Sequence, residues 1–306
     1  MKVFQSIQEA SGGPLKGAAI CLGNFDGVHL GHQALFAEAA KHGPVAALTF
    51  QPHPGKVLQP QLAPRLIVSQ QRKLELLEAA GATAVVVQPF STEYAKSTPA
   101  MFEASLFDGL QVRTVVVGTD FTYGQKRAGT VATLTEAAKQ RAAQVVTVNP
   151  VTIEGVVVSS SKIREYVLEG RVEAAARFLS RPFDLDGVVV PGAGRGRTIG
   201  FPTANIDTPN ELRPAAGVYA IRVRVPGEGA RGGAANIGVK PTFGGGEVTI
   251  EAHLFDYQGD LYGKKLRVEF LERLRSEKRF ASASELSAQI ARDLEEARAA
   301  VARSST

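Results

Sequence analysis

Five short β-branched and aliphatic runs, at 18–22, 45–50, 84–87, 112–117 and 145–148, alternate with helically spaced segments through the first half of the chain. Such an order makes the strands parallel and covers both faces with helices, which is why Val115-Val116-Val117 is apolar without interruption. Thr133 and Glu136 are spaced as a capping box, and Leu74 and Leu77 form one stripe ahead of Gly81. Helices are expected over 161–168 and 172–179, the second stopping before Pro182 because proline disfavours helix in the residue preceding it.

The alternation ends near residue 186. Beyond it come shorter extended runs at 187–190, 218–225, 234–237, 248–255 and 266–271, divided by glycine and proline. That texture predicts an antiparallel barrel or sandwich. A last helix is expected from Ser284, with Ser282 and Glu285 spaced as a capping box and Leu286, Ile290 and Leu294 on one face. A chain of 306 residues has room for two cores. The boundary is placed at 181–186, giving expected domains of 1–182 and 186–306.

Cys21 is the single cysteine, so an intramolecular disulfide, a thiolate metal cluster and a CxxC redox pair are excluded. The formal charge of +5 is spread over 35 basic and 30 acidic residues rather than gathered in a tail, which suits phosphate-bearing substrates. No signal-like n- and h-region and no membrane-length apolar run is present. The expectation is a cytoplasmic protein with neither a membrane nor a nucleic-acid partner; oligomeric state is not legible.

The first strand runs into Gly23-Asn24-Phe25-Asp26-Gly27-Val28-His29-Leu30-Gly31-His32. In an open parallel sheet, ligands bind beyond the carboxyl ends of the strands, where a helix N-terminus offers free N–H groups to phosphate. Glycines at 23, 27 and 31 allow close backbone approach. His29 and His32, three apart, are expected on one helical face, aimed at the same phosphate oxygens. The plainer reading is a glycine-bearing turn with surface histidines.

HxGH in this setting resembles the nucleotidyltransferase superfamily, which attacks the α-phosphate of ATP, and the longer string resembles the adenylyltransferase module of bacterial bifunctional riboflavin kinase/FMN adenylyltransferases. The resemblance implies a Rossmann-like N-terminal nucleotidyltransferase domain in which Gly23, Asn24, Phe25, Asp26, His29 and His32 meet the nucleotide. It extends to Thr49-Phe50-Gln51-Pro52-His53-Pro54, implying that Phe50, His53 and Pro54 bind flavin, with His53 near the FMN phosphate; alone, this would read as a rigid proline turn. In Gly118-Thr119-Asp120-Phe121-Thr122-Tyr123-Gly124 it assigns Asp120 to the nucleotide and Phe121 to the flavin. In Ser159-Ser160-Ser161-Lys162-Ile163-Arg164 it assigns Ser160 and Arg164 to the triphosphate, where the plain reading is a serine cap with solvated charges.

The second half carries Gly192-Ala193-Gly194-Arg195-Gly196-Arg197-Thr198-Ile199-Gly200-Phe201-Pro202-Thr203-Ala204-Asn205. A glycine-rich loop can turn its amides toward phosphate, although GxGxG alone is weak. Pro202-Thr203-Ala204-Asn205 resembles the PTAN motif of riboflavin kinases, implying that Gly192, Gly194 and Gly200 approach the nucleotide while Thr203 and Asn205 hold it and Mg²⁺. The family base maps to Glu251. Alternation puts Glu251, His253 and Phe255 on one face, and a dry site for Glu251 follows if that face is the barrel interior; a solvated carboxylate is the ordinary alternative. The resemblance, from about residue 15 to 297, implies an α/β domain plus a β-barrel kinase domain with a terminal helix, ATP as co-substrate, and riboflavin, FMN, FAD, ADP and pyrophosphate as the other small molecules.

Overall fold

The computed structural model describes residues 1–192, 201–240 and 247–304. The chain divides into two compact units, Met1–Arg65 with Gln70–Ser159, and Leu66–Ser69 with Ser160–Thr306.

In the first unit β1 (Lys2–Phe4), β2 (Ala19–Leu22), β3 (Val45–Gln51), β4 (Ala84–Pro89) and β5 (Thr114–Gly118) are sheet strands. β6 (Thr122–Tyr123) and β7 (Gly129–Thr130) pair as a small hairpin, and β8 (Gln144–Val148) completes a parallel sheet of order β1-β4-β3-β2-β5-β8. Ile20 and Leu22 join one buried cluster with Leu48, Val115, Val117 and Leu134. Ala19 and Cys21 join another with Ala47, Val116, Phe36 and Leu77. Both faces of the sheet are therefore dry, and each buried leucine contributes about 1.5–3 kcal/mol. β3 and β4 continue to one side of β2 while β5 lies on the other, so the strand order reverses between β2 and β5. A crevice at such a switch point is where α/β sheets take ligands.

Three local expectations change. β1 was not expected. The helix Val131–Lys139 is capped by Thr130, whose hydroxyl accepts from the Thr133 N–H at 3.4 Å while the Thr133 hydroxyl accepts from the Thr130 N–H at 2.9 Å. Thr133 thus makes the return bond usually made by glutamate, and Glu136 lies inside the helix. The helix Gln70–Ala79 buries Lys73 as well as Leu77.

A further hairpin, β9 (Thr152–Ile153) with β10 (Val156–Val157), closes the first unit. The second contains the helices Ser160–Leu168 and Val172–Leu179. They are followed by β11 (Phe183–Val190), β12 (Ala204–Asp207), β13 (Gly217–Val225), β14 (Gly229–Lys240), β15 (Glu247–Leu254) and β16 (Lys265–Arg275). These six strands close an antiparallel barrel in the order β11-β12-β15-β14-β13-β16, which decides between barrel and sandwich. β11 begins inside the stretch read as a boundary, and Phe183 and Leu185 are core residues. The C-terminal helix Ala283–Arg303 has Ser282 as its cap, as expected. It lays Ala297 and Ala300 on Ala220, Ala234 and Phe255, and the Arg275 guanidinium binds Asp293 on the same helix at 2.7 Å. Among the described residues no helix is long and apolar enough to cross a membrane.

Candidate active sites

Beyond β2 the chain turns sharply through Gly23, where a Cβ would stand 3.0 Å from the Phe25 ring. Phe25 has a positive φ of 50° and its side chain is fully buried, edge-on to Phe36 and His32. Of this expected nucleotide residue only the backbone lies along the loop; the ring is core. Asn24 is exposed and Asp26 buried. The Asn24 carbonyl accepts from the Thr49 hydroxyl at 3.1 Å and from the Lys73 ammonium at 3.2 Å. Burial pulls the Lys73 pKa down and the Asp26 carboxylate opposes it. Sequence reasoning missed Lys73, although a lysine four residues before a fully buried leucine on one helical face was a signal.

The two histidines do not share a helical face. His29 is the N-cap of the helix Leu30–Ala39, its Nδ1 accepting from the His32 N–H at 3.4 Å. The rings instead stack at 3.6 Å with 19° between planes. Gly31 permits this, because a Cβ there would lie 3.1 Å from His29 Cε1. With Nδ1 accepting, Nε2 is the His29 ring nitrogen that carries a proton. Burial first, then His29 and Lys73, hold the His32 pKa well below the usual imidazole range. The Nδ1 of His32 is buried without a hydrogen-bond partner.

Gly23, Asn24, Phe50, His53, Pro54, Asp120 and Phe121 line one cavity of about 850 Å³. The segments following β2, β3 and β5 converge there, so expected nucleotide and flavin residues share a single space of ligand size. Phe50 meets Phe90 at 5.6 Å and Tyr94 at 6.0 Å, while Phe121 and Tyr123 stack at 5.8 Å. Two aromatic walls of this kind suit a flat heteroaromatic ligand. Burial pushes the Tyr94 hydroxyl up to about 12, so it stays a neutral donor. His53 caps the short turn after β3, its Nδ1 accepting from the Gly55 N–H at 3.1 Å. Phe90 and Tyr94 were missed, the only signal being aromatic residues just past a strand's carboxyl end. Ser160 and Arg164 are half-buried in the helix that opens at Ser160, which belongs to the second unit.

In the barrel, Asn205 on β12 pairs with Glu251 on β15, and Glu251 pairs on its other side with Asn236 on β14. Three polar side chains therefore stand abreast on one face. That face is not the interior: Ile250, Ala252 and Leu254 are buried inward, whereas Phe255 lies under the C-terminal helix and Glu251 and His253 are half-buried. Glu251 therefore has no dry interior site; it lies half-buried on the outer face of the barrel. Gly192 passes so close to the Asn205 amide that any Cβ would overlap it. His253 Nδ1 lies 2.8 Å from the Pro202 carbonyl and so carries the proton, steadying the chain just before Thr203. Thr203 and Ala204 line a second cavity of about 420 Å³ with Val189, Leu254 and Tyr257. Gly194 and Gly200 lie outside the described residues.

Residues 13–162 match the family model described as FAD synthetase, and residues 179–301 the one described as riboflavin kinase. The bifunctional riboflavin kinase/FMN adenylyltransferase of Escherichia coli K12 is 36% identical over 299 residues, covering 96% of each chain. The chain belongs to the bifunctional riboflavin kinase/FMN adenylyltransferase family. The Bacillus subtilis member is 38% identical over 290 residues, 92% of this chain and 91% of that one. A crystal structure described as a macrolide-efflux protein from Streptococcus pneumoniae superposes with a TM-score of 0.89 at 31% identity, covering 97% of this chain and 98% of that one.

The Mg²⁺ expected from the sequence is assigned to Thr203 and Asn205. Among the described residues no group of three or more His, Cys, Asp or Glu could hold a metal by itself. Two neutral side-chain oxygens beside the Glu251 carboxylate nevertheless fit Mg²⁺, which prefers oxygen and fills its octahedron from substrate phosphates and water.

Proposed function

We propose that this chain phosphorylates riboflavin to FMN in its second half, 186–306, and adenylylates FMN to FAD in its first, 1–182, as a cytoplasmic enzyme. What supports the reading is that each half has its own cavity among assigned residues: Gly23, Asn24, Phe50, His53, Asp120 and Phe121 line one, and Thr203 lines the other, with Asn205 paired to Glu251 across β12 and β15.

In the kinase half Glu251 accepts the proton of the riboflavin 5′-hydroxyl as that oxygen attacks the γ-phosphorus, and ADP leaves. Thr203 and Asn205 orient the phosphates, with Gly192 giving the Asn205 amide room. Bound Mg²⁺ would be held by the same two side chains and would supply charge neutralisation on the phosphate oxygens.

In the adenylyltransferase half an FMN phosphate oxygen attacks the α-phosphorus of ATP and pyrophosphate leaves. His29 donates from Nε2 to a phosphate oxygen, and His32, held neutral by its burial, stacks on the His29 ring. Such donors act on charge that grows in the transition state, which is the main requirement of nucleotidyl transfer. Phe50, Phe121 and their neighbours hold the isoalloxazine, and His53 faces the FMN phosphate.

Incubating the pure chain with riboflavin, Mg²⁺ and ATP, then separating flavins by chromatography, should show FMN followed by FAD, with ADP and pyrophosphate released. Failure to form either flavin would overturn the reading.

A further inference from the structure

The hairpin β6–β7 carries the chain through Gly124–Ala128, and two consecutive non-glycine residues in this loop are left-handed, Lys126 at φ 53° and Arg127 at φ 59°. Each such residue costs on the order of 1–3 kcal/mol and persists only where its surroundings over-determine it. Here they do. The Gln125 N–H donates to the Ser97 carbonyl at 2.8 Å, the Arg127 Nε donates to the Thr122 hydroxyl at 2.8 Å, and the Tyr123 hydroxyl meets Thr133 at 3.0 Å. At the base of the loop Gly129 lies flat on the Tyr123 ring, where a Cβ would approach to 2.6 Å.

Lys126, Arg127 and Lys96 all line the 850 Å³ cavity that the aromatic walls enclose. The one carboxylate among the described residues lining it is Asp120. Lys96 is engaged with Glu93 at 2.9 Å in an exposed pair, which costs little to open. One rim of an otherwise aromatic cavity is thus cationic, and its two neighbouring cations are held in a strained, pinned loop.

We propose that the Gly124–Ala128 loop is a phosphoryl clamp, in which Lys126 and Arg127 bind the phosphate of the flavin in this cavity and so select FMN over unphosphorylated flavin. This rests on the cavity being the flavin site of the adenylyltransferase half. Arg127 can still offer its terminal guanidinium nitrogens to phosphate while Nε holds Thr122, and Lys126 adds a point charge. The phosphoryl group could also come from the ATP triphosphate, and the experiment separates the two.

FAD formation by the full chain would be followed in Lys126→Asn, Arg127→Asn and the double variant, asparagine being a residue that tolerates the left-handed backbone. The readouts are KM for FMN, KM for ATP, and the inhibition constant of lumiflavin, an isoalloxazine without ribityl chain or phosphate. The double variant should raise KM for FMN about tenfold or more, as expected for lost charge-assisted bonds, with lumiflavin inhibition and KM for ATP within about twofold of the parent. A rise confined to KM for ATP would assign the clamp to the triphosphate. Equal weakening of FMN and lumiflavin would make the loop a wall rather than a reader of phosphate; either result, or no change, overturns the proposal. Should the variants misfold, the parent decides: added KCl should raise KM for FMN while leaving lumiflavin inhibition unchanged, and equal salt responses would refute the clamp. Lumiflavin that fails to compete with FMN in the parent would instead count against the flavin assignment of the cavity.

Discussion

Asn205 and Glu251 stand directly opposite each other across β12 and β15, so the amide assigned to nucleotide and metal and the carboxylate assigned to the proton are cross-strand neighbours, about 4.5–5.5 Å apart at Cβ in such pairs. Replacing Glu251 with glutamine preserves volume and one carbonyl oxygen but removes the proton acceptor. Riboflavin phosphorylation should fall by about 10²- to 10⁴-fold, equivalent to roughly 3–5 kcal/mol of barrier. Equilibrium binding of riboflavin and FAD formation from supplied FMN should hardly change. Phosphorylation within about threefold of the parent, with chemistry limiting turnover, would show that Glu251 is not the base.

His32→Ala removes the ring on which His29 stacks, and a misplaced His29 donor should lower FMN adenylylation by about 10²- to 10³-fold, the usual loss for one preorganised donor in a charge-stabilising site. Riboflavin phosphorylation should continue, so FMN accumulates. Chromatography of a riboflavin–ATP reaction tests this directly, and equal loss of both activities in a folded variant would contradict two separate sites.

The depressed pKa of His32 also fixes a sign. Below the ordinary imidazole value the unfolded chain binds a proton that the folded chain refuses, so stability falls as pH drops from about 7 toward 5. The loss ends only at the lowered folded pKa. Urea unfolding of His32→Gln across this range should show a shallower pH dependence than the parent. An unchanged slope would mean that His32 is not the refusing group.

The histidine string and both assigned loops were legible because they are contiguous and follow apolar strands. Lys73 was not, because its partners Asn24 and Thr49 come from two other segments and only the folded chain gathers them. Phe90 and Tyr94 were hidden for the same reason, the cavity wall being built from four separate loops. For Glu251 the alternation sorted the faces correctly, and the sequence already held the answer to which face turns inward: Ile250, Ala252 and Leu254 are the apolar set. β12 escaped notice because Ala204-Asn205-Ile206-Asp207 offers only Ile206 as a buried apolar side chain.

Lys73→Met tests the scaffold under the nucleotide loop. The Asn24 carbonyl loses a donor and Asp26 loses its compensating charge, so the first unit should be destabilised by about 1–3 kcal/mol. FAD formation should decline while FMN formation holds. Denaturant unfolding of the variant with a midpoint equal to the parent's would show that the buried ammonium contributes no net stability.

The boundary itself is open to test by truncation. A fragment of 186–306 discards Phe183 and Leu185, two core residues paired in register with Phe270 and Val268 of β16. It also discards Glu173, whose carboxylate accepts from the Arg273 N–H at 2.8 Å, and the Glu169 carbonyl that the same arginine reaches at 3.3 Å. Losing the two side chains alone removes about 1.5–3 kcal/mol each, a large part of what a domain this size holds in reserve. A fragment of 160–306 keeps all of these contacts, and both fragments lack Leu66–Ser69 equally, so the difference between them isolates the segment 160–185. The longer fragment should unfold cooperatively and convert riboflavin to FMN; the shorter should unfold at markedly lower urea or show no cooperative transition, with activity lost in proportion to its folded fraction. Equal urea midpoints for the two, followed by circular dichroism, would mean that the helices Ser160–Leu168 and Val172–Leu179 and the first half of β11 add nothing to the barrel, and that a kinase unit does begin at residue 186.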